Sequence, residues 1–214
     1  MTFARTFAEL RKAEWNEEDH PRDEDGKFSN SGSGQAAQGK VKRGGDDPVR
    51  TQVKIRAYLL QNGFPGSRVI VKSLTPPPRG GVYNASLGEF NPTSGKIYLN
   101  KDFMGSATLM KGIARHELAH AKFNKALPEV RQLIRQSAVA LERDDGTTSY
   151  AREFWGRLNM WRKTPGTSAK DLRALFEIAV NESFAEMSKL GKFKGIYSRL
   201  AYRVENKWRR RTGG

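Results

Sequence analysis

The chain has 214 residues, and because none is cysteine, disulfide bonds and zinc–thiolate sites are excluded. No apolar run approaches the roughly 18 residues of a membrane-spanning helix, and residues 1–10 alternate apolar and charged, so neither a membrane span nor a signal peptide is predicted. The formal net charge of +15 predicts attraction to polyanions. That charge fits either a basic enzyme surface or non-specific contact with nucleic acid.

Residues 1–45 are predicted to be a tail with a flexible linker, and residues 46–214 a folded domain. Serine, glycine and glutamine dominate residues 29–47, which is typical of a flexible linker. Ahead of it, residues 20–28 read His-Pro-Arg-Asp-Glu-Asp-Gly-Lys-Phe. They resemble an element of tailed-phage head and portal-associated proteins, which implies a phage virion or the bacterial cytoplasm as location, with head or portal proteins as partners. The alternative is a solvated linker without a role.

The first half of the domain is predicted to contain a helix and a small sheet. The helix starts at Pro48 after acidic cap residues and stops at Asn62-Gly63, with an apolar side that comprises Val49, Val53, Leu59 and Leu60. The β-branched run Arg68 to Leu74 predicts a strand. After a proline-rich loop, residues 82–90 and 96–100 flank a five-residue turn and predict a hairpin.

The next stretch, residues 108–125, is predicted to be a helix that carries His116-Glu117-Leu118-Ala119-His120. Residues four apart lie on one helix face, so both imidazoles can bind one metal ion. Glu117 lies beside them and can take a proton from a metal-bound water. The alternative is a pair of core histidines bonded to backbone or carboxylate groups, with Glu117 exposed.

Four more helices are predicted downstream. The first follows Pro128 and ends near Asp145-Gly146, and the second covers residues 150–163. A long third helix is capped at residues 168–171 and ends before Gly191. The fourth, residues 192–210, has an apolar side and a basic side, and residues 209–211 are three arginines that fit either nucleic-acid contact or a solvated terminus.

A catalytic zinc needs three protein ligands, and the third must come from outside the helix of residues 108–125. Cysteine is absent, and the remaining histidine, His20, lies in the tail, which leaves a downstream carboxylate. Glu182 and Glu186 fall on an apolar stripe, where carboxylates are unfavourable unless paired or metal-bound. Glu182 is therefore predicted as the third ligand, with Glu186 as the acceptor that orients a histidine. Glu177 and Glu153 are the alternatives to Glu182, which in that case is a surface carboxylate.

These motifs resemble those of zincin metallopeptidases. Glu182-Ser183-Phe184-Ala185-Glu186 resembles the Glu-x-Phe-Ala-Glu element of glutamate-ligand zincins related to anthrax lethal factor, whose first glutamate binds zinc and whose second supports the site. Ser149-Tyr150-Ala151-Arg152 resembles that family's Ser-Tyr-small-Arg element, which implies that Tyr150 stabilises the oxyanion. It stands 32 residues before Glu182, farther than is usual in the family.

The same resemblance implies where a substrate binds. In zincins, the last strand before the metal helix is the sheet edge to which an extended peptide pairs. That strand is here Lys96, Ile97, Tyr98, Leu99 and Asn100, and an exposed edge carries unpaired backbone groups suited to this role.

The combined prediction is an α+β fold: a minimal zincin core of helix, small mixed sheet with hairpin and metal-binding helix, followed by a helical C-terminal half. The predicted function is a Zn²⁺-dependent metallopeptidase that acts on a protein or peptide substrate, with Glu117 as general base. One alternative is a zincin-like structural component of a phage particle with little catalysis. The other is a basic nucleic-acid-binding protein.

Overall fold

The computed structural model describes residues 46–74, 86–143 and 149–212, and for residues 149 and 150 the backbone alone. The predicted tail and linker, the proline-rich loop and the first residues of the predicted hairpin lie outside these ranges. The described residues form an α+β fold, as predicted. Among them, no helix is both long and apolar enough to cross a bilayer. The elements are α1 (Pro48–Gln61), β1 (Val69–Lys72), β2 (Gly88–Asn91), β3 (Lys96–Asn100), α2 (Ala107–Gln136), α3 (Ala138–Arg143), α4 (Ser149–Lys163), α5 (Ala169–Leu190) and α6 (Gly195–Thr212).

Helix α1 has the predicted bounds but buries a different face. The Asp47 carboxylate accepts a hydrogen bond from the Val49 N–H at 2.9 Å and caps the helix. The buried residues are Thr51, Ile55 and Leu59, which are spaced by four and so share one stripe. Of the predicted apolar side, Leu59 alone is buried. The other three residues are 63–70% exposed: Val49, Val53 and Leu60.

The sheet corrects the prediction about its edge. Its strand order is β1-β3-β2, with β1 parallel and β2 antiparallel to β3. Strand β3, Lys96–Asn100, is therefore the central strand, and the prediction that it forms the substrate edge is wrong. The reason is that the predicted strand at residues 68–74, seen here as β1, pairs with the side of β3 that was expected to be open. The outer strands are β1 and β2.

Helix α2 is longer than predicted. It continues through Pro128 as one helix of 30 residues, where the sequence indicated two. A proline in a helix interior removes one hydrogen bond and costs about 3 kcal/mol. Here both sides of the proline are held by packing, since Leu127 and Val130 are buried against the rest of the fold. Burial thus offsets the local preference for a break.

The C-terminal helices pack around α2, which contacts α5, α6, α1 and the sheet. Helix α5 is bounded as predicted: the Ser168 hydroxyl accepts from the Asp171 N–H at 3.1 Å, and Gly191 ends it with a φ of 68°. Helix α6 returns to the start of the domain, where the Trp208 indole N–H donates to the Asn62 carbonyl at 2.8 Å. The first helix, the sheet and the last helix therefore share one core with α2.

Candidate metal centre

Two histidines of α2 converge at the centre of the fold. His116 and His120 are four residues apart, so their rings leave the same face of the helix. Both are buried, and their Nε2 atoms lie 2.9 Å apart. The two ring planes are nearly perpendicular, at 83°. The helix thus presents two nitrogen donors to one point.

Helix α5 brings Glu182 to the same point. Its Oε2 atom lies 3.6 Å from His116 Nε2 and 3.5 Å from His120 Nε2. The residue is 2% exposed, and within the described part of the chain Oε2 has no hydrogen-bond partner. The two imidazoles face this oxygen at the outer limit of hydrogen-bond distance, so a cation bound among the three side chains would complete its interactions.

The three side chains fit a metal ion. With bonds of about 2 Å to nitrogen and oxygen, tetrahedral ligand atoms lie about 3.3 Å apart, close to the three distances above. The three candidate ligand atoms all lie within 4.8 Å of one another. His116, His120 and Glu182 can therefore bind a metal ion together.

Glu186 lies one turn beyond Glu182, on the far side of His116. Its Oε1 atom is 3.0 Å from His116 Nδ1, and Lys189 Nζ is 3.5 Å from the same oxygen. A carboxylate at Nδ1 fixes the tautomer and the ring orientation and leaves Nε2 for a metal. Glu186 therefore lies within hydrogen-bond distance of His116, and its orienting role stays a prediction.

Glu117 is buried and not exposed, so the alternative with a solvated Glu117 is wrong on that point. Its side chain faces strand β2: burial raises the pKa of its carboxyl, and the Phe90 backbone N–H of that strand lowers it. A Cβ atom on Gly88 would lie 3.1 Å from Glu117 Oε1 and 2.5 Å from Ile113 Cγ2. Gly88 and Phe90 were not predicted as part of the site, although a glycine inside a strand is a recognised signal of close backbone approach.

The ionisation of each buried group in the metal centre depends on the charges of its neighbours. Burial opposes a positive charge on His116, but the carboxylates of Glu182 and Glu186 outweigh it and raise the pKa of the imidazole to about 10. Burial also opposes a negative charge on Glu182, yet the two histidines lower its pKa to about 2. For Glu117, burial raises the pKa and the histidines offset part of that rise. The carboxylates of Glu182 and Glu186 therefore favour a positive charge at His116.

The other predicted site residues have different positions. Glu177 bonds Arg131 at 3.1 Å, and Glu153 pairs with Arg157 on its own helix, so neither alternative replaces Glu182. The side chain of Tyr150 lies outside the described residues, and its role stays a prediction. Helix α4 does support α5 beside the centre, because the buried Trp155 indole N–H donates to the Ser183 hydroxyl at 2.9 Å.

Comparison of the chain with family models, with curated proteins and with solved structures finds no match.

Metal binding is expected to release a proton. In the metal-free protein the raised pKa of His116, about 10, keeps the ring protonated at neutral pH, whereas a metal needs its neutral form. Glu182, with a pKa of about 2, has no proton to lose. We therefore expect about one proton released per Zn²⁺ at neutral pH, and an affinity that rises as pH approaches 10. Calorimetry in buffers of different ionisation enthalpy measures this, and a pH-independent affinity would contradict it.

Gly88→Ala is expected to destabilise the fold. The new Cβ would lie 2.5 Å from Ile113 Cγ2, and such overpacking costs about 1–3 kcal/mol. Urea unfolding measures the change. The matched control is Gly156→Ala, because a Cβ there meets nothing within 4 Å and a helix gains up to about 1 kcal/mol from alanine. Equal stability of both variants would show that β2 does not approach α2 so closely.

Proposed function

We propose that the chain is a zinc-dependent metallopeptidase of the zincin type. One observation carries the proposal: the buried Glu117 carboxylate lies beside the His116, His120 and Glu182 group and faces an outer strand of the sheet. A buried base next to a candidate metal site is the arrangement that metal-assisted hydrolysis requires.

The donor set supports zinc. Two imidazoles and one carboxylate are a recurrent ligand set of catalytic zinc and leave a position for water. His116, His120 and Glu182 would hold the ion. When bound, it supplies a Lewis acid that polarises a carbonyl and makes water nucleophilic at neutral pH. Glu186 would keep His116 oriented through Nδ1.

Glu117 is the proposed general base. Burial raises the pKa of its carboxyl, which brings it closer to the operating pH, where proton transfer in both directions is efficient. Glu117 would take the proton of the attacking water and pass it to the leaving amine. A Cβ atom on Gly88 would lie 3.1 Å from Glu117 Oε1, so the close approach of β2 restricts where the carboxylate can lie. Tyr150 is the proposed oxyanion donor, on the strength of its motif.

The substrate strand is reassigned from β3 to β2. Within the described residues, β2 (Gly88–Asn91) pairs with β3 alone, and it is the strand that contacts Glu117. An extended peptide added outside β2 would use main-chain hydrogen bonds for affinity and run past the general base. The tail element at residues 20–28 suggests a phage or bacterial protein as the natural substrate.

Removal of the third ligand tests the metal site. Glu182→Gln is expected to lose stoichiometric zinc, because a neutral amide is a much weaker ligand than a carboxylate. Glu177→Gln, on the same helix but bonded to Arg131, should keep it. Metal analysis of the purified proteins measures the zinc content of each variant. Equal zinc content in the two variants would show that Glu182 is not a ligand.

Glu117→Gln tests catalysis separately from binding. The variant should bind zinc as the parent does but cleave a peptide library about 10²–10⁴-fold more slowly, which is the usual contribution of a general base. Mass spectrometry of the cleaved library gives the rates, with Glu177→Gln as the active control. A zinc-loaded parent that cleaves nothing would favour the structural alternative, and an active Glu117→Gln would remove Glu117 from the mechanism.

A further inference from the structure

Helix α6 has two faces with different environments. Its apolar side chains are packed into the fold, with Ile196, Leu200 and Val204 buried. Its one acidic residue, Glu205, is partly exposed and its carboxylate bonds the buried Lys122 at 2.7 Å. The outward face is left with basic and neutral residues.

The outward face carries a straight row of arginines. Arg199, Arg203 and Arg210 are separated by four and seven residues, so they lie on one stripe of the helix. All three are exposed, and within the described residues none of them makes an ion pair, whereas Lys207 pairs with Glu129. From Arg199 to Arg210 the row extends about 16 Å along the helix axis, which is long enough to contact several phosphates of one strand.

An aromatic ring stands beside this row. Tyr202 is 70% exposed and, three residues after Arg199, lies next to it on the helix surface. An exposed aromatic side chain among guanidinium groups offers a stacking surface for an unpaired base. Guanidinium groups in turn bind phosphate with two parallel hydrogen bonds.

From these features we infer that the outward face of α6 binds single-stranded nucleic acid, with the arginines on phosphates and Tyr202 stacked on a base. A membrane surface is disfavoured, because a basic amphipathic helix binds lipid by inserting its apolar face, and that face of α6 is buried in the core. This binding would be independent of the candidate metal centre and of peptide hydrolysis.

The test is fluorescence anisotropy of the full chain with a labelled oligo(dT) of about 20 nucleotides, which exceeds the footprint of the row. The triple variant Arg199→Gln, Arg203→Gln, Arg210→Gln should weaken binding about 10- to 100-fold near 0.1 M salt. It should also reduce the slope of log affinity against log salt by about 2, since each phosphate contact on a single strand contributes about 0.7. A matched triple variant, Arg50→Gln, Lys54→Gln, Lys170→Gln, removes three exposed charges elsewhere and should leave the slope unchanged.

Tyr202→Ala separates stacking from charge. It should weaken oligo(dT) binding about fivefold or more and leave binding to a duplex of the same length unchanged. Equal losses in the two triple variants would overturn the inference in favour of diffuse attraction. Tighter binding to phosphatidylserine vesicles than to oligo(dT), or no effect of Tyr202→Ala, would overturn it as well.

Discussion

The structure depends on one buried electrostatic arrangement, in which an anionic carboxylate from α5 meets two imidazoles from α2. Moving a charged group out of water is costly unless an opposite charge compensates it. Glu182 is therefore tolerated in the interior because His116 and His120 face it. The same requirement sets the distance between the two helices. Any packing that separated them would leave a carboxylate and two polar rings buried without partners.

The surrounding elements hold this arrangement from several sides. Trp155 and Ser183 connect α4 to α5 one residue after Glu182, and Glu186 holds the outer nitrogen of His116. On the opposite side, the absence of a side chain at Gly88 lets β2 approach Glu117. Helix α2 is continuous through Pro128, so the histidines and the contacts made by its C-terminal half belong to one rigid element.

The sequence predicted the parts that depend on helical periodicity. The spacing of His116 and His120, and the position of Glu182 on an apolar stripe, are local patterns, and the structure brings these residues together. The strand order could not be predicted from the sequence, because pairing of β1 with β3 joins residues such as Val69 and Ile97 that are far apart in the chain. The predicted helix break at Pro128 was also wrong, because tertiary packing there overrides local propensity. The buried face of α1 was misjudged for a related reason: several residues of that helix are apolar, and the neighbouring helix selects the stripe at Thr51.

The contact between Trp208 and the end of α1 has a consequence for biosynthesis. The indole of Trp208 belongs to the core that also contains Ile55 and Val69, and its N–H bonds a carbonyl at residue 62. Contacts this distant in sequence form late, because a long stretch of chain must first be brought together. The nascent domain therefore stays incomplete on the ribosome until residue 208 has emerged. Its early hydrophobic segments are exposed to chaperones and proteases during that interval.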